Sequence, residues 1–204
     1  MSNLISVFPT LIYKATFPRE FSESEKVSYR EVIDDNIPNK RNLISKDTYV
    51  LNREGLKEIR EFIQVHLNQY TYQVLKTDMK QKFYITTSWM NLTKPQMSHH
   101  LHAHPNSIVS GVFYFETIPD DKLVFKNPTR TILQSFVTEY RPSTEYNILA
   151  DSLGISVQNR TLLLFPSDLH HEVFKNESES ERISLSFNTF IKGKLADNVN
   201  ELVL

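Results

Sequence analysis

From residue 83 to residue 191 the chain is a succession of short stretches in which apolar and polar residues alternate, and that succession limits the fold more than any other feature. Side chains two apart on a strand share a face, so each stretch has one face to bury. Residues 83–92 and 108–117 are rich in aromatic and β-branched side chains, which suit a pleated, half-buried surface. Leu123-Val124-Phe125 is closed by Asn127-Pro128, residues 161–166 form an apolar run ended by Pro166, and residues 182–191 alternate cleanly. Weaker strand patterns fall at 131–138, 146–149 and 155–158. Ahead of them, within residues 54–77, Leu56, Ile59, Phe62, Ile63, Leu67, Tyr70, Val74 and Leu75 recur at threes and fours, the spacing of an amphipathic helix. A helix followed by many short strands predicts a mainly β, α+β layout: one β-sandwich or barrel with a helix packed against a sheet.

The remaining segments read more simply. Residues 4–17 predict an extended segment, 21–35 a short surface helix, 38–45 a loop, and 192–204 a surface extension. At 204 residues, with no internal repeat and no linker, the expectation is a single domain. Within it, residues 1–82 would supply the N-terminal strand and flanking helices, and 83–191 the β core. The absence of Cys excludes disulfides, thiolate ligands and Cys nucleophiles. A formal net charge of -1 gives no strong field for nucleic acid or an anionic membrane. No apolar run reaches the length of a membrane span, and the N-terminus lacks a signal-peptide pattern, so a cytoplasmic location is expected. No Gly-rich phosphate loop is present, which argues against a nucleotide site of the P-loop or Rossmann kind.

Chemistry concentrates in the histidines. Four of the seven, His99, His100, His102 and His104, lie between two strong strand patterns. His102 and His104 are spaced to face one side of a strand and so to reach one metal ion. A distal pair, His170-His171, follows the buried run 161–166 where the chain turns. If Val173 begins the next strand inward, His171 shares its face and His170 points away, which makes His171 the candidate third ligand. Arg182 opens the last alternating stretch, with Ser184, Ser186 and Asn188 on its face and Ile183, Leu185 and Phe187 on the other. An Arg with a Ser two residues on can bind a carboxylate through a charge-assisted fork and a hydroxyl.

Taken together, these blocks resemble a known family. His102-Ala103-His104-Pro105-Asn106-Ser107 with Ser110-Gly111-Val112-Phe113-Tyr114, then Phe165-Pro166-Ser167 with His171-Glu172-Val173, then Arg182-Ile183-Ser184 with Phe187-Asn188, and upstream Trp89-Met90-Asn91, are similar to a group of 2-oxoglutarate- and Fe(II)-dependent oxygenases common in bacteria and phages. The likeness runs from Phe8-Pro9 to Asn188. It implies a double-stranded β-helix, or jelly roll, holding Fe(II), with 2-oxoglutarate as a small-molecule co-substrate and an oxidoreductase (dioxygenase) activity on a further substrate. It also implies that Arg182 and Ser184 bind the distal carboxylate of 2-oxoglutarate, that Tyr114 joins them, and that Asn91 touches the co-substrate. Asn106 and Ser107 are expected to brace the loop presenting His104. In the wider superfamily an Asp or Glu stands where this chain has His104. Three neutral imidazoles would leave the iron centre with a higher net charge.

Two other readings fit the same residues: a cupin-like three-His metalloenzyme without 2-oxoglutarate, and a non-catalytic jelly roll used for binding or structure. A cupin usually carries a Glu a few residues past the second His, and residues 106–111 hold none. The sequence leaves the prime substrate and a homo-oligomeric state open. Substrate selectivity is expected to reside in loops such as 129–151.

Overall fold

A computed structural model describes residues 9–128 and 150–204. Two antiparallel sheets face each other. The larger has seven strands in the order β1-β9-β6-β11-β4-β3-β2 and the smaller four in the order β5-β10-β7-β8. In chain order these are β1 (Tyr13–Thr16), β2 (Asn36–Asn39), β3 (Asn42–Ser45), β4 (Lys82–Thr93), β5 (His99–His102), β6 (Val109–Glu116), β7 (Lys122–Lys126), β8 (Ser152–Ser156), β9 (Thr161–Pro166), β10 (His171–Val173) and β11 (Arg182–Lys192). Two helices, α1 (Glu23–Asp34) and α2 (Lys57–Asn68), precede the main run of strands. This is the expected mainly β, jelly-roll architecture with N-terminal flanking helices.

Strand alternation sorts the large sheet's residues into two cores. Val109, Phe113 and Phe115 of β6, Leu162 and Leu164 of β9, and Ile183, Leu185 and Phe187 of β11 turn outward onto the helices, where they meet Ile59, Ile63 and Leu67 of α2. Val112 and Tyr114 of β6 and Leu163 and Phe165 of β9 turn inward and meet Leu123 and Phe125 of β7 and Val173 of β10. The inward face of β11 carries no apolar residue through its first half: Arg182, Ser184 and Ser186 are all buried there. Apolar packing thus fixes the sheet from outside and leaves a polar strip facing the smaller sheet. Gly111 lies where that packing is closest, since a Cβ there would come within 2.2 Å of the Phe187 ring.

Several expectations need correction. Residues 38–45 are not a loop but most of the β2–β3 hairpin, turned through Lys40 at φ 52 and joined to β4 through the pairs Leu43 with Leu92 and Ile44 with Asn91. A central strand with an open edge recruits a segment whose own pattern is weak. The helix expected over 54–77 is divided: a short 3-10 turn, Glu54–Leu56, leads into α2, which then widens into a π turn at Gln69–Val74. The threes-and-fours pattern continues through the widened turn, so sequence periodicity does not register the change. Helix α1 is capped as an isolated helix needs: Ser22 accepts from the Glu25 amide and Glu25 from the Ser22 amide. The expected extended segment 4–17 is a strand at Tyr13–Thr16, paired with β9, and residues 1–8 lie outside the described part. The strand patterns at 131–138 and 146–149 also lie outside the described residues, and that at 155–158 belongs to β8, Ser152–Ser156. No helix among the described residues is long and apolar enough to cross a membrane.

Candidate metal and co-substrate site

The smaller sheet brings the distal histidine to the close pair by direct strand pairing. His102, the last residue of β5, lies opposite His171, the first residue of β10. His104 lies two residues past the end of β5, its amide donating to the Ser167 carbonyl at 2.8 Å. One ring nitrogen from each of His102, His104 and His171 lies within 4.8 Å of the other two. His171 is buried and His170 exposed, so the alternation through Val173 holds.

Backbone and side-chain oxygens fix which nitrogen each ring presents. His102 Nδ1 lies 2.7 Å from the His100 carbonyl and His171 Nδ1 lies 2.9 Å from the Leu169 carbonyl. A carbonyl only accepts, so both Nδ1 atoms carry the proton and both Nε2 lone pairs are free. His104 Nδ1 lies 2.6 Å from Asn188 Oδ1, which also accepts from the Ser110 hydroxyl at 3.0 Å. His104 Nε2 is buried with no hydrogen-bond partner among the described residues. Leaving a buried imidazole acceptor unpaired costs roughly 1–3 kcal/mol, which a metal at that point would remove. Burial holds all three rings neutral: it pushes His102 down to about 4 and His171 down to about 3, and it lowers His104 against the opposing hydrogen bond from Asn188. Neutral, tautomer-fixed and convergent imidazoles are what a divalent ion requires.

No carboxylate joins the cluster among the described residues. Glu116 accepts from Tyr29 at 2.8 Å and pairs with Arg30 on the helix side, and Asp168 is exposed. Asn106, expected to brace the loop that presents His104, occupies a turn position in it at φ 56. Ser107 does brace the loop, bonding the Val109 and Thr189 carbonyls at 3.2 Å and the Ser167 hydroxyl at 2.8 Å. The tautomer of His104 is set by Asn188, which the sequence places on the right face without revealing its partner.

The same cavity continues inward from the histidines to Arg182, and is lined by Asn91, His99, Val112, Leu123, Ser184 and Ser186 among others. Arg182 is 1% exposed and Asp121 4%. Arg182 Nε reaches both Asp121 carboxylate oxygens, at 3.0 and 2.9 Å, and Nη1 reaches Ser184 Oγ at 3.3 Å. Among the described residues its Nη2 has no hydrogen-bond partner, and neither does the hydroxyl of Tyr114, whose ring lies 4.9 Å from the guanidinium carbon. Burial pushes the Asp121 carboxyl upward against the pull of Arg182. Asp121 is the site residue that the sequence reading missed. Its only signal is an acid, in Asp120-Asp121-Lys122, just ahead of the apolar run Leu123-Val124-Phe125. Asn91 is present in the cavity but already bonded: its Nδ2 donates to Ser186 Oγ at 2.9 Å and its Oδ1 accepts from Asn42 at 3.5 Å.

A jelly roll that brings three largely buried histidines and a buried arginine to one polar cavity has the make-up expected of a non-haem metal oxygenase. Comparison with known families agrees. Residues 87–188, half of the chain, match the family described as "Putative 2OG-Fe(II) oxygenase", and the chain belongs to that family. It is therefore an Fe(II)- and 2-oxoglutarate-dependent oxygenase by membership. Solved structures share the fold at low identity. An oxidoreductase of the 2OG-Fe(II) oxygenase family from Burkholderia pseudomallei matches with a TM-score of 0.54 at 12% identity, over 86% of this chain and 83% of that one. A prolyl-4-hydroxylase from Pseudomonas putida matches at 0.52 and 15%, over 88% and 92%. The epimerase SnoN from nogalamycin biosynthesis, solved with Fe3+ and alpha ketoglutarate, matches at 0.62 and 8%, over 90% and 81%. No curated protein matches the sequence.

Proposed function

We propose that His102, His104 and His171 hold the iron through Nε2, and that Arg182, with Tyr114 and Ser184, takes a carboxylate of 2-oxoglutarate. The chain would then oxygenate a substrate still to be identified. The observation that carries the reading is unmet bonding capacity around one cavity lined by His102, His171 and Arg182: among the described residues, the buried Nε2 of His104, grouped with the other two rings, and Nη2 of Arg182, beside the Tyr114 hydroxyl, have no hydrogen-bond partner. Bound iron would supply the redox centre at which dioxygen is reduced, 2-oxoglutarate leaving as succinate and carbon dioxide while one oxygen atom goes to the substrate.

The chain's own part is orientation and exclusion of water. The His100 and Leu169 carbonyls and Asn188 hold three rings in one tautomer, so metal binding needs no rotamer search and no deprotonation near neutral pH. Asp121 grips Arg182 by Nε and Ser184 by Nη1, which leaves Nη2 as the donor for an incoming carboxylate oxygen. Trp89, its ring centroid 5.7 Å from that of His104, shields the outer side of the triad. Asn91 then acts through Ser186 and Asn42, as a member of the polar wall.

Anaerobic titration of the Fe(II)-loaded protein with 2-oxoglutarate tests the assignment. A visible absorption band that needs both components, lost in the His102→Ala, His104→Ala and His171→Ala variants and retained in His170→Ala, is the expected result. Stoichiometric metal binding after His104→Ala, or its loss after His170→Ala, would overturn the ligand assignment.

A further inference from the structure

Strand β5 contains a register irregularity that bears on the co-substrate. His102 pairs with His171 and His99 with Val173. The same interval is therefore two residues on β10 and three on β5, so β5 carries one extra residue, a β-bulge. In a regular strand His99 and His102, three apart, would face opposite sides. The bulge reverses this: both line the cavity, and their rings stack with centroids 4.4 Å apart and planes inclined by 17°. The segment just before is held from two sides. The Ser98 amide donates to the Arg41 carbonyl at 3.2 Å, and Asn176 brackets residues 96–97 through its backbone amide and carbonyl. His99 is thus turned into the cavity by the backbone.

Once there, the ring has no protein hydrogen-bond partner among the described residues. Among the described residues no group hydrogen-bonds to either nitrogen of His99, although the other cavity polar groups Asn91, Ser184 and Ser186 all have partners. It lines the same cavity as His102, His171 and Arg182, within electrostatic reach of the guanidinium. We infer that His99 is a further co-substrate-binding residue, its ring N–H donating to an oxygen of the dicarboxylate that spans the metal ligands and Arg182. The inference rests on the proposed 2-oxoglutarate site and adds a donor from the smaller sheet to those of the larger one.

Calorimetric titration of nickel-loaded protein with 2-oxoglutarate, under conditions where no turnover occurs, tests it. His99→Phe keeps a flat ring against His102 and removes the donor. Its affinity for 2-oxoglutarate should fall about 10-fold or more while nickel stoichiometry stays at that of the wild type. His99→Gln restores a donor and should recover most of the loss. If His99→Phe does not fold or does not hold nickel, His99→Leu serves as the apolar arm. Unchanged affinity in the apolar variant, or Gln no better than Phe, overturns the role of His99 while leaving the site itself standing. Absence of 2-oxoglutarate binding in the wild type would instead sink the co-substrate reading on which it rests.

Discussion

Removing the Asp121 carboxylate should be among the most damaging single changes outside the apolar cores. Arg182 is 1% exposed and, among the described residues, Asp121 is the one carboxylate paired with it. Two charges about 4 Å apart at an effective dielectric of about 20 attract by roughly 4 kcal/mol. Breaking a buried pair by deleting one partner costs roughly 3–5 kcal/mol, because the surviving charge is left uncompensated. The two routes agree, so Asp121→Ala should lose about 3–5 kcal/mol, a large share of the 5–15 kcal/mol typical of a whole domain, on the order of magnitude. Asp121→Asn keeps an acceptor for Arg182 Nε and should lose less, about 1–3 kcal/mol.

The carboxylate also carries its own cost, seen in the upward push that burial gives it. Replacing both partners, as Asp121→Leu with Arg182→Met, should therefore be less destabilising than the sum of the two singles by at least about 2 kcal/mol. Urea unfolding of the metal-free wild type, of each single variant and of the double variant reads these stabilities. An Asp121→Ala variant within about 1 kcal/mol of wild type, or single changes that simply add, would show that the guanidinium is not held as a buried, singly compensated charge.

Arg182→Lys keeps the charge but loses the planar fork that divides Asp121, Ser184 and the cavity among separate N–H groups, so 2-oxoglutarate binding measured by calorimetry should weaken by about 1–3 kcal/mol. Asn188→Ala frees the Nδ1 of His104, and metal affinity measured by competition with a chelator should fall about 10- to 100-fold with the fold intact. The pH dependence of the metal-free protein follows from the depressed histidines. His102 at about 4 and His171 at about 3 in the fold, against about 6.5 when unfolded, make the unfolded chain bind more protons between those values. Stability should therefore be full above about pH 6.5 and fall as the pH drops toward 4, by about 2–4 kcal/mol at pH 5 for the pair after allowing for the partial exposure of His102. Urea midpoints that stay flat from about pH 7 to 5 would contradict this.

What the sequence made legible was what strand periodicity can carry. Alternation assigned Arg182, Ser184, Ser186 and Asn188 to one face of β11 and Ile183, Leu185 and Phe187 to the other, and it separated His171 from His170. It did not reveal the β2–β3 hairpin, whose existence depends on a free edge of β4 supplied by tertiary structure. Nor did it reveal Asp121, which meets Arg182 across 61 residues of chain, or the link from Asn188 to His104 across 84. Both are pairings between sheets or strand ends, and no local pattern encodes them. The inward turn of His99 is illegible for a related reason. A bulge breaks the very alternation by which faces are read, so a strict period of two assigns that side chain to the wrong side.

The charges of the cavity are best considered together. In the superfamily that this sequence resembles, a carboxylate sits on the metal, and in the proposed site His104 would take its place. Three neutral imidazoles leave a divalent ion's charge whole. A dicarboxylate bound between that ion and Arg182 brings two negative charges against three positive ones. Beside a guanidinium that is itself buried, the remaining positive charge would be costly. Asp121 supplies the balance from the other end: it neutralises Arg182, so that ion, dicarboxylate, arginine and aspartate sum to zero. In the proposed site the negative charge usually found on the metal would thus be supplied beside the arginine. The consequence reaches the metal ligands themselves. A carboxylate introduced at position 104 with Asp121 in place would leave the occupied cavity one negative charge in excess, so the identity of residue 104 and the presence of Asp121 are coupled through the co-substrate rather than through any contact between them.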